Sequence, residues 1–433
     1  MFYRKNILKT CAKFAVLFFF LFLEINAILA NHNDPTLPWG FFGHKRINRM
    51  AVFTLPPEMM VFYKKNIEFI TEHAVDPDKR RYASKHEAPR HFMDLDRYGK
   101  APFDNLPRNW TDALVKFTDI YIVKNQKDTF QLIDNSQTIV NKKSIVFKSS
   151  YIKKKLHLDS LVLDKRAYKR FFMVNIERNF YEDEYVIPND SLKKIFATIG
   201  INLDFQSAFP KEHFSEHGIV PYNLETIQKR LTKAFQEKDV TKILRLSAEI
   251  GHYIGDAHVP LHTTQNYNGQ LTNQNGIHGF WESRIPELFA DDSYDFFVGK
   301  ATYIEQPAKT YWDIVLKSHE YVDSVLLIEK DLSKVFPKDR QFCFDERMGV
   351  TVRTQCSEYT KAYSDRLAGM VEDRMRASIL TVGSAWLTAW IDAGQPDLST
   401  IDGTKNDVTK TAEDEALEKA ATSGGQMIGR SEN

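Results

Sequence analysis

Residues 252–262 read HYIGDAHVPLH and residues 278–282 read HGFWE, joined by a loop rich in Gly, Asn, Gln and Thr. Four of the thirteen histidines of the chain fall in these thirty-one residues. His252 and Asp256 are four apart, so on a helix they share one face. Pro260 ends or kinks that helix, and His262 follows just beyond it. His278 and Glu282 repeat the four-residue spacing on what the pattern predicts to be another helix. A single His–Asp pair on an amphipathic helix is ordinarily a hydrogen-bonded couple. Two such pairs, with a Pro-Leu-His between them, shift the reading to a metal site. Imidazole and carboxylate without thiolate form a ligand set suited to zinc in hydrolytic work. His258 falls off the face shared by His252 and Asp256 and reads as a supporting or surface residue.

Outward from this stretch, helical periodicity covers Asn223–Glu237 and Asp239–Ile254, and again Ala308–Glu329 and Tyr359–Ile391. Apolar residues recur at helical spacing from Ile47 to about Ile70, interrupted by Pro56-Pro57, which suits the opening of a second helix. The segment from about 121 to 215 differs. It carries β-branched and aromatic runs such as Ser144-Ile145-Val146-Phe147 and a Lys153–Lys155 cluster, and reads as an insertion, with room for a small hairpin. The polar tail after Pro396 (396–433) is expected to be disordered.

With 433 residues, 43% hydrophobic and 13% aromatic, the chain can bury a sizeable core, and global disorder is excluded. A net charge of +1 leaves no overall electrostatic footprint for nucleic acid or an anionic membrane. Arg4, Lys5, Lys9 and Lys13 precede a short apolar run from Phe14 to Leu23, and small residues follow at Ala27 and Ala30. This is the order of a secretory signal peptide over residues 1–30, with an uncleaved anchor as the alternative. Export, to a periplasm or the extracellular space, would let Cys343 and Cys356 form a local disulfide. Two free thiols are the other reading.

Three upstream positions carry metal-ligand side chains: Gly43-His44 after Trp39-Gly40, Asp76 in VDPD, and His91 in PRHFMD. With them, the order W-G-x-x-G-H, D, H-F-x-D, H-x-x-x-D-x-x-x-P-L-H and H-x-x-x-E resembles the superfamily of zinc-dependent phospholipases C and single-strand-specific nucleases. The match runs from Trp39 to Glu282, interrupted by the insertion. The resemblance implies an all-α domain over residues 31–395 around a cleft holding two or three zinc ions. Asp76, His91, His252 and Asp256 would hold one ion, and His262, His278 and Glu282 a second. His44, Asp256 and the Trp39 backbone would hold a third, so Asp256 would bridge. In that family the Trp is the mature N-terminus. Here Ala27 and Ala30 lie upstream and Pro38 directly precedes Trp39, which puts its free amine in doubt.

The implied chemistry is hydrolysis of a phosphodiester, with Asp76 and Asp256 as catalytic ligands and no stable protein partner. Glu282 looks like the phospholipases, where a lipid head group is the substrate. His91-Phe92-Met93-Asp94 looks like the nucleases, where Phe92 would stack a base and Asp94 would hydrogen-bond it. Phe92 packing in the core is the plainer alternative. A non-catalytic zinc protein is the competing reading from another class. It would not need so many shared N and O ligands, because a closed structural site uses four.

Overall fold

The computed structural model describes residues 41–125, 128–180, 186–347, 350–400, 415–417, 419 and 427–430. The presumed signal segment and Trp39 lie outside them. Helices dominate, and the principal core forms where five pack together: Phe41–Ala51, Val220–Glu237, Val240–His258, Pro307–His319 and Met370–Asp392. The central one is Val240–His258. Asp239 caps its first turn by accepting from the Lys242 amide at 3.1 Å, and the chain leaves it at Val259-Pro260. All of its last turns are buried, because helices cover it on several sides. Trp386 stacks on Tyr63, with ring centroids 4.7 Å apart, and donates to the Ser247 carbonyl at 3.0 Å.

Two glycines on the central helix set its distance from Phe41–Ala51. A Cβ at Gly251 would stand 1.9 Å from Oδ1 of Asn48, and one at Gly255 would stand 2.9 Å from Nδ1 of His44. The absence of side chains at these two positions, one turn apart, lets the helices approach closely. Asn48 then bridges to the Ala248 carbonyl at 3.0 Å, and the His44 ring stacks over His252 at 3.9 Å between centroids.

The all-α expectation is corrected to mostly helical. Three small antiparallel sheets are present among the described residues. Between Thr118 and Glu212 lie β1 (Thr118–Lys124), β2 (Asp128–Ile133), β3 (Ile139–Val140), β4 (Ser144–Phe147), β5 (Leu161–Asp164) and β6 (Ser207–Glu212). They pair in the orders β2-β1-β6 and β3-β4-β5. In β5, Leu161 and Leu163 are buried while Val162 and Asp164 face out, the period of two that a half-covered strand requires. Three helices, Ser150–Lys155, Lys165–Asn175 and Asn189–Ala197, complete this region. It has an apolar core of its own, including Phe147, Tyr168, Phe172 and Phe196.

The third sheet is a hairpin of β7 (Phe342–Arg347) and β8 (Val350–Gln355). Cys343 and Cys356 are joined by a disulfide across it. The two long C-terminal periodic stretches are each divided. Pro307–His319 and Val322–Val335 are separate helices, as are Ser357–Arg366 and Met370–Asp392, between which Gly369 takes a positive φ of 83°.

Candidate metal centre

His252 and Asp256 project from the central helix as their spacing requires, and His44 meets them from Phe41–Ala51. His262 sits on a short 3₁₀ turn, Pro260–Thr263, directly after the proline. His278 lies in the next short helix, Ile277–Gly279, which passes into a π-helical turn over Phe280–Arg284 containing Glu282. Such turns are uncommon and often found at functional sites. His91 ends a 3₁₀ turn at Ala88–His91.

The loop that follows His91 is held from both sides. The Met93 amide donates to the His262 carbonyl at 2.9 Å, and Val220 donates to the Phe92 carbonyl at 3.1 Å. Asp94 donates to the His217 carbonyl at 2.8 Å. The exit of the inserted region therefore braces the His91–Asp94 loop.

Three groups of side chains converge. His44, His252 and Asp256 form one, Asp78, His91 and His252 a second, and His262, His278 and Glu282 a third. Within each, the candidate ligand atoms lie within 4.8 Å of one another. Asp256 stands between them. Its Oδ2 is 2.9 Å from Nδ1 of His91 and 3.3 Å from Nε2 of His252. Its Oδ1 is 3.3 Å from Nε2 of His44 and 3.8 Å from Nε2 of His262. Glu282 lies 2.7 Å from Nε2 of His278, 3.4 Å from Nε2 of His262 and 3.6 Å from Nε2 of His44.

The far nitrogens of three imidazoles are occupied, which fixes those rings, while Nδ1 of His44 is buried without a hydrogen-bond partner among the described residues. Nδ1 of His252 faces the Ala74 carbonyl at 2.8 Å, Nδ1 of His262 the His91 carbonyl at 2.7 Å, and Nδ1 of His278 the Tyr267 carbonyl at 3.2 Å. A proton on each Nδ1 leaves the Nε2 lone pair pointing into the cluster. His91 is reversed. Its Nδ1 points inward, and the buried carboxylate of Glu87 stands 3.5 Å from its Nε2. Burial opposes ionisation of Glu87, yet the contact with His91 and the charges of Arg80 and Arg90 hold its carboxyl well below the usual range. Sequence reading did not single out Glu87. Its place one helical turn before His91 is the only local signal.

The carboxylate that meets His91 and His252 is Asp78, 3.8 and 3.7 Å away, rather than Asp76. Asp76 instead contacts His73 at 2.5 Å and Lys79 at 3.6 Å. Both belong to the helix Asp76–Arg80, where positions two apart point in nearly opposite directions. His258 is buried, not at the surface. Its Nδ1 bonds the Ile254 carbonyl at 2.7 Å, and burial pushes its pKa down to about 3, so it packs as a neutral ring outside the cluster. Phe92 and Asp94 are both buried beside the cluster, and burial pushes the Asp94 carboxyl up to about 6.

The donor set fits a group of metal cations. Buried acceptors facing one another at 3–4 Å are costly unless positive charge lies between them. Burial works against the Asp256 charge, but His252 and His262 outweigh it and hold that carboxyl well below its ordinary range. Burial likewise works against a charged His44, and its bonds to Asp256 and Glu282 outweigh that and raise it. The cluster thus favours charge separation at its centre, which a divalent ion provides more completely than protons do.

No family model matches the chain, and no curated protein or solved structure matches it either. Among the described residues no helix is long and apolar enough to cross a membrane.

Proposed function

We propose that this protein is a zinc-dependent phosphoric diester hydrolase. The observation that carries the reading is the carboxylate of Asp256, whose two oxygens turn toward different imidazoles, the arrangement expected of a ligand shared by two ions. His44, Asp78, His91, His252 and Asp256 would hold ions on one side, and His262, His278 and Glu282 an ion on the other. When bound, zinc supplies Lewis acidity, which makes water acidic enough to attack near neutral pH and offsets the charge that builds on a phosphate.

The chain's own residues then do four things. The Ala74, His91 and Tyr267 carbonyls hold the His252, His262 and His278 rings in one tautomer, and Glu87 does so for His91. Asp256 would contribute a negative charge to the residues that would hold the cations, which would offset the repulsion among them. Burial of the cluster excludes bulk water and strengthens each electrostatic contact. Phe92 and Asp94, adjoining His91, would orient the group attached to the phosphate. With Asp78 in place, Asp76 keeps at most an indirect role through its contact with His73.

Two substrate classes fit this chemistry. Phospholipid head groups are suggested by Glu282 through the resemblance above. Single-stranded nucleic acid is suggested by the slot at Phe92 and Asp94, where the planar guanidinium of the chain's own Arg430 lies against the Phe92 ring with the Asp94 carboxylate at its edge. Elemental analysis of protein expressed with zinc should find about two to three equivalents per chain, and chelation should abolish turnover of bis-p-nitrophenyl phosphate. Absence of zinc after such expression would remove the basis of the proposal. Side-by-side assays of single-stranded DNA, RNA and phosphatidylcholine would separate the substrate classes.

A further inference from the structure

The slot beside the metal cluster already has an occupant, and it comes from the far end of the chain. The guanidinium carbon of Arg430 lies 3.4 Å over the Phe92 ring and 4.7 Å from the Tyr267 ring centroid. One of its nitrogens pairs with the Asp94 carboxylate, and another reaches the Thr264 carbonyl at 3.5 Å. A planar cation is thus sandwiched near two aromatic rings, with hydrogen-bond acceptors along its edge. The backbone is fitted as well. The Ile428 amide donates to the Arg81 carbonyl at 2.8 Å, and the Arg81 guanidinium donates to the Arg430 carbonyl. Arg81 also stands 3.7 Å from Asp78, which ties this segment to the cluster through one side chain. Gly429 takes a φ of +104°, and a Cβ there would lie 2.5 Å from the Cβ of Ala88, so a side chain at this position would be both strained and in collision.

The expectation that residues 396–433 are wholly disordered is therefore corrected for 427–430, and also for 396–400, where Leu398 is buried in the principal core and Trp390 donates to the Pro396 carbonyl at 2.9 Å. Composition favoured disorder, but the Ile428 amide, the absence of a side chain at Gly429 and the Arg430 guanidinium seat these residues, while the Ile428 side chain itself is exposed.

We propose that Met427–Arg430 is an internal competitor for the substrate side of the cleft: Arg430 fills the Phe92–Tyr267–Asp94 slot, and a substrate bearing a planar group with amino donors must displace it. The donors of the guanidinium face Asp94 and Thr264, so Arg430 acts as an occupant of the slot and not as a free cation awaiting phosphate. The choice of substrate rests on the hydrolase reading above; the seating of the tail does not.

The test uses full-length, zinc-loaded protein and its Arg430→Ala and Gly429→Ala variants. Hydrogen exchange at the Ile428 amide should accelerate about tenfold or more in both variants, and millimolar adenosine monophosphate should accelerate it in the unmodified chain by displacing the tail. KM for an adenine dinucleotide should fall about tenfold in both variants, because a competing occupant lowers apparent affinity by the fraction of free slot. Turnover of glycerophosphoglycerol, a diester without a ring, should stay within about twofold. Unchanged Ile428 exchange in both variants, or a dinucleotide KM that is unchanged or higher, overturns the proposal. If neither diester is turned over by any form, the hydrolase reading has failed, and exchange at Ile428 alone then decides whether the tail is a displaceable occupant.

Discussion

The central helix Val240–His258 and the inserted region between Thr118 and Glu212 are both buried structures, but they bury different things. The helix places His252 and Asp256 among other imidazoles and carboxylates, a costly arrangement held by surrounding hydrogen bonds and packing. The inserted region encloses Phe147, Tyr168, Phe172 and Phe196, which gain from leaving water and need no ion. Its β-branched strands and aromatic helices close on themselves, and it touches the site chiefly where its exit braces the Phe92 loop. Stability and chemistry are thus drawn from different parts of one chain, and substitutions should separate them.

The largest effect is expected in the inserted region. Phe172→Ala should lower stability by about 3–5 kcal/mol through loss of buried area and the cavity left behind. Denaturant melts would measure this, and zinc content of the folded fraction should be retained. Loss of zinc in parallel with stability would mean that the two regions are not separable.

Next comes the centre of the cluster. Asp256→Asn keeps the shape but removes the charge, and should reduce phosphodiester turnover at least about a hundredfold, roughly 2.7 kcal/mol. The fold should persist by circular dichroism. His258→Ala, outside the cluster, should retain most of the turnover, and equal losses in the two variants would break the assignment.

Gly251→Ala tests how the site is positioned rather than what it contains. The new methyl must displace Asn48, which should cost roughly 1–3 kcal/mol as overpacking. Thermal melts with and without added zinc would show it. A neutral result would mean that the helices have slack at this crossing.

The smallest effect discriminates between two carboxylates. Asp78→Asn should weaken zinc affinity by at least about tenfold, near 1.4 kcal/mol, whereas Asp76→Asn should shift it by less than about threefold. Competition with a chromophoric chelator would measure both. The reverse order would restore Asp76 to the ligand set and place the structural grouping in error.

His252, Asp256, His262, His278 and Glu282 could be singled out from sequence because their relation is local. A helix converts a spacing of four into a common face, and a proline two residues before His262 marks where the helix stops. The strands were less legible. Short β-branched runs in the inserted region suggested at most a hairpin, and the six strands there became evident only through their pairing partners, some of which lie far apart in sequence. β7 and β8 carried no signal that separated them from a loop.

Sequence alone determined that imidazoles and carboxylates would gather near the end of one helix and the start of another, because backbone periodicity is set by the chain itself. Which of two carboxylates in VDPD would join them was decided by tertiary structure, since it depends on the face that the Asp76–Arg80 helix turns toward His91 and His252. The meeting of His44 with His252 likewise required two glycines to admit a neighbouring helix. The seat of Arg430 depended on more distant parts still. Phe92, Asp94, Tyr267 and residues 427–430 are separated by up to several hundred positions, and only the packed core brings an aromatic face, a buried carboxylate and a glycine-sized gap together.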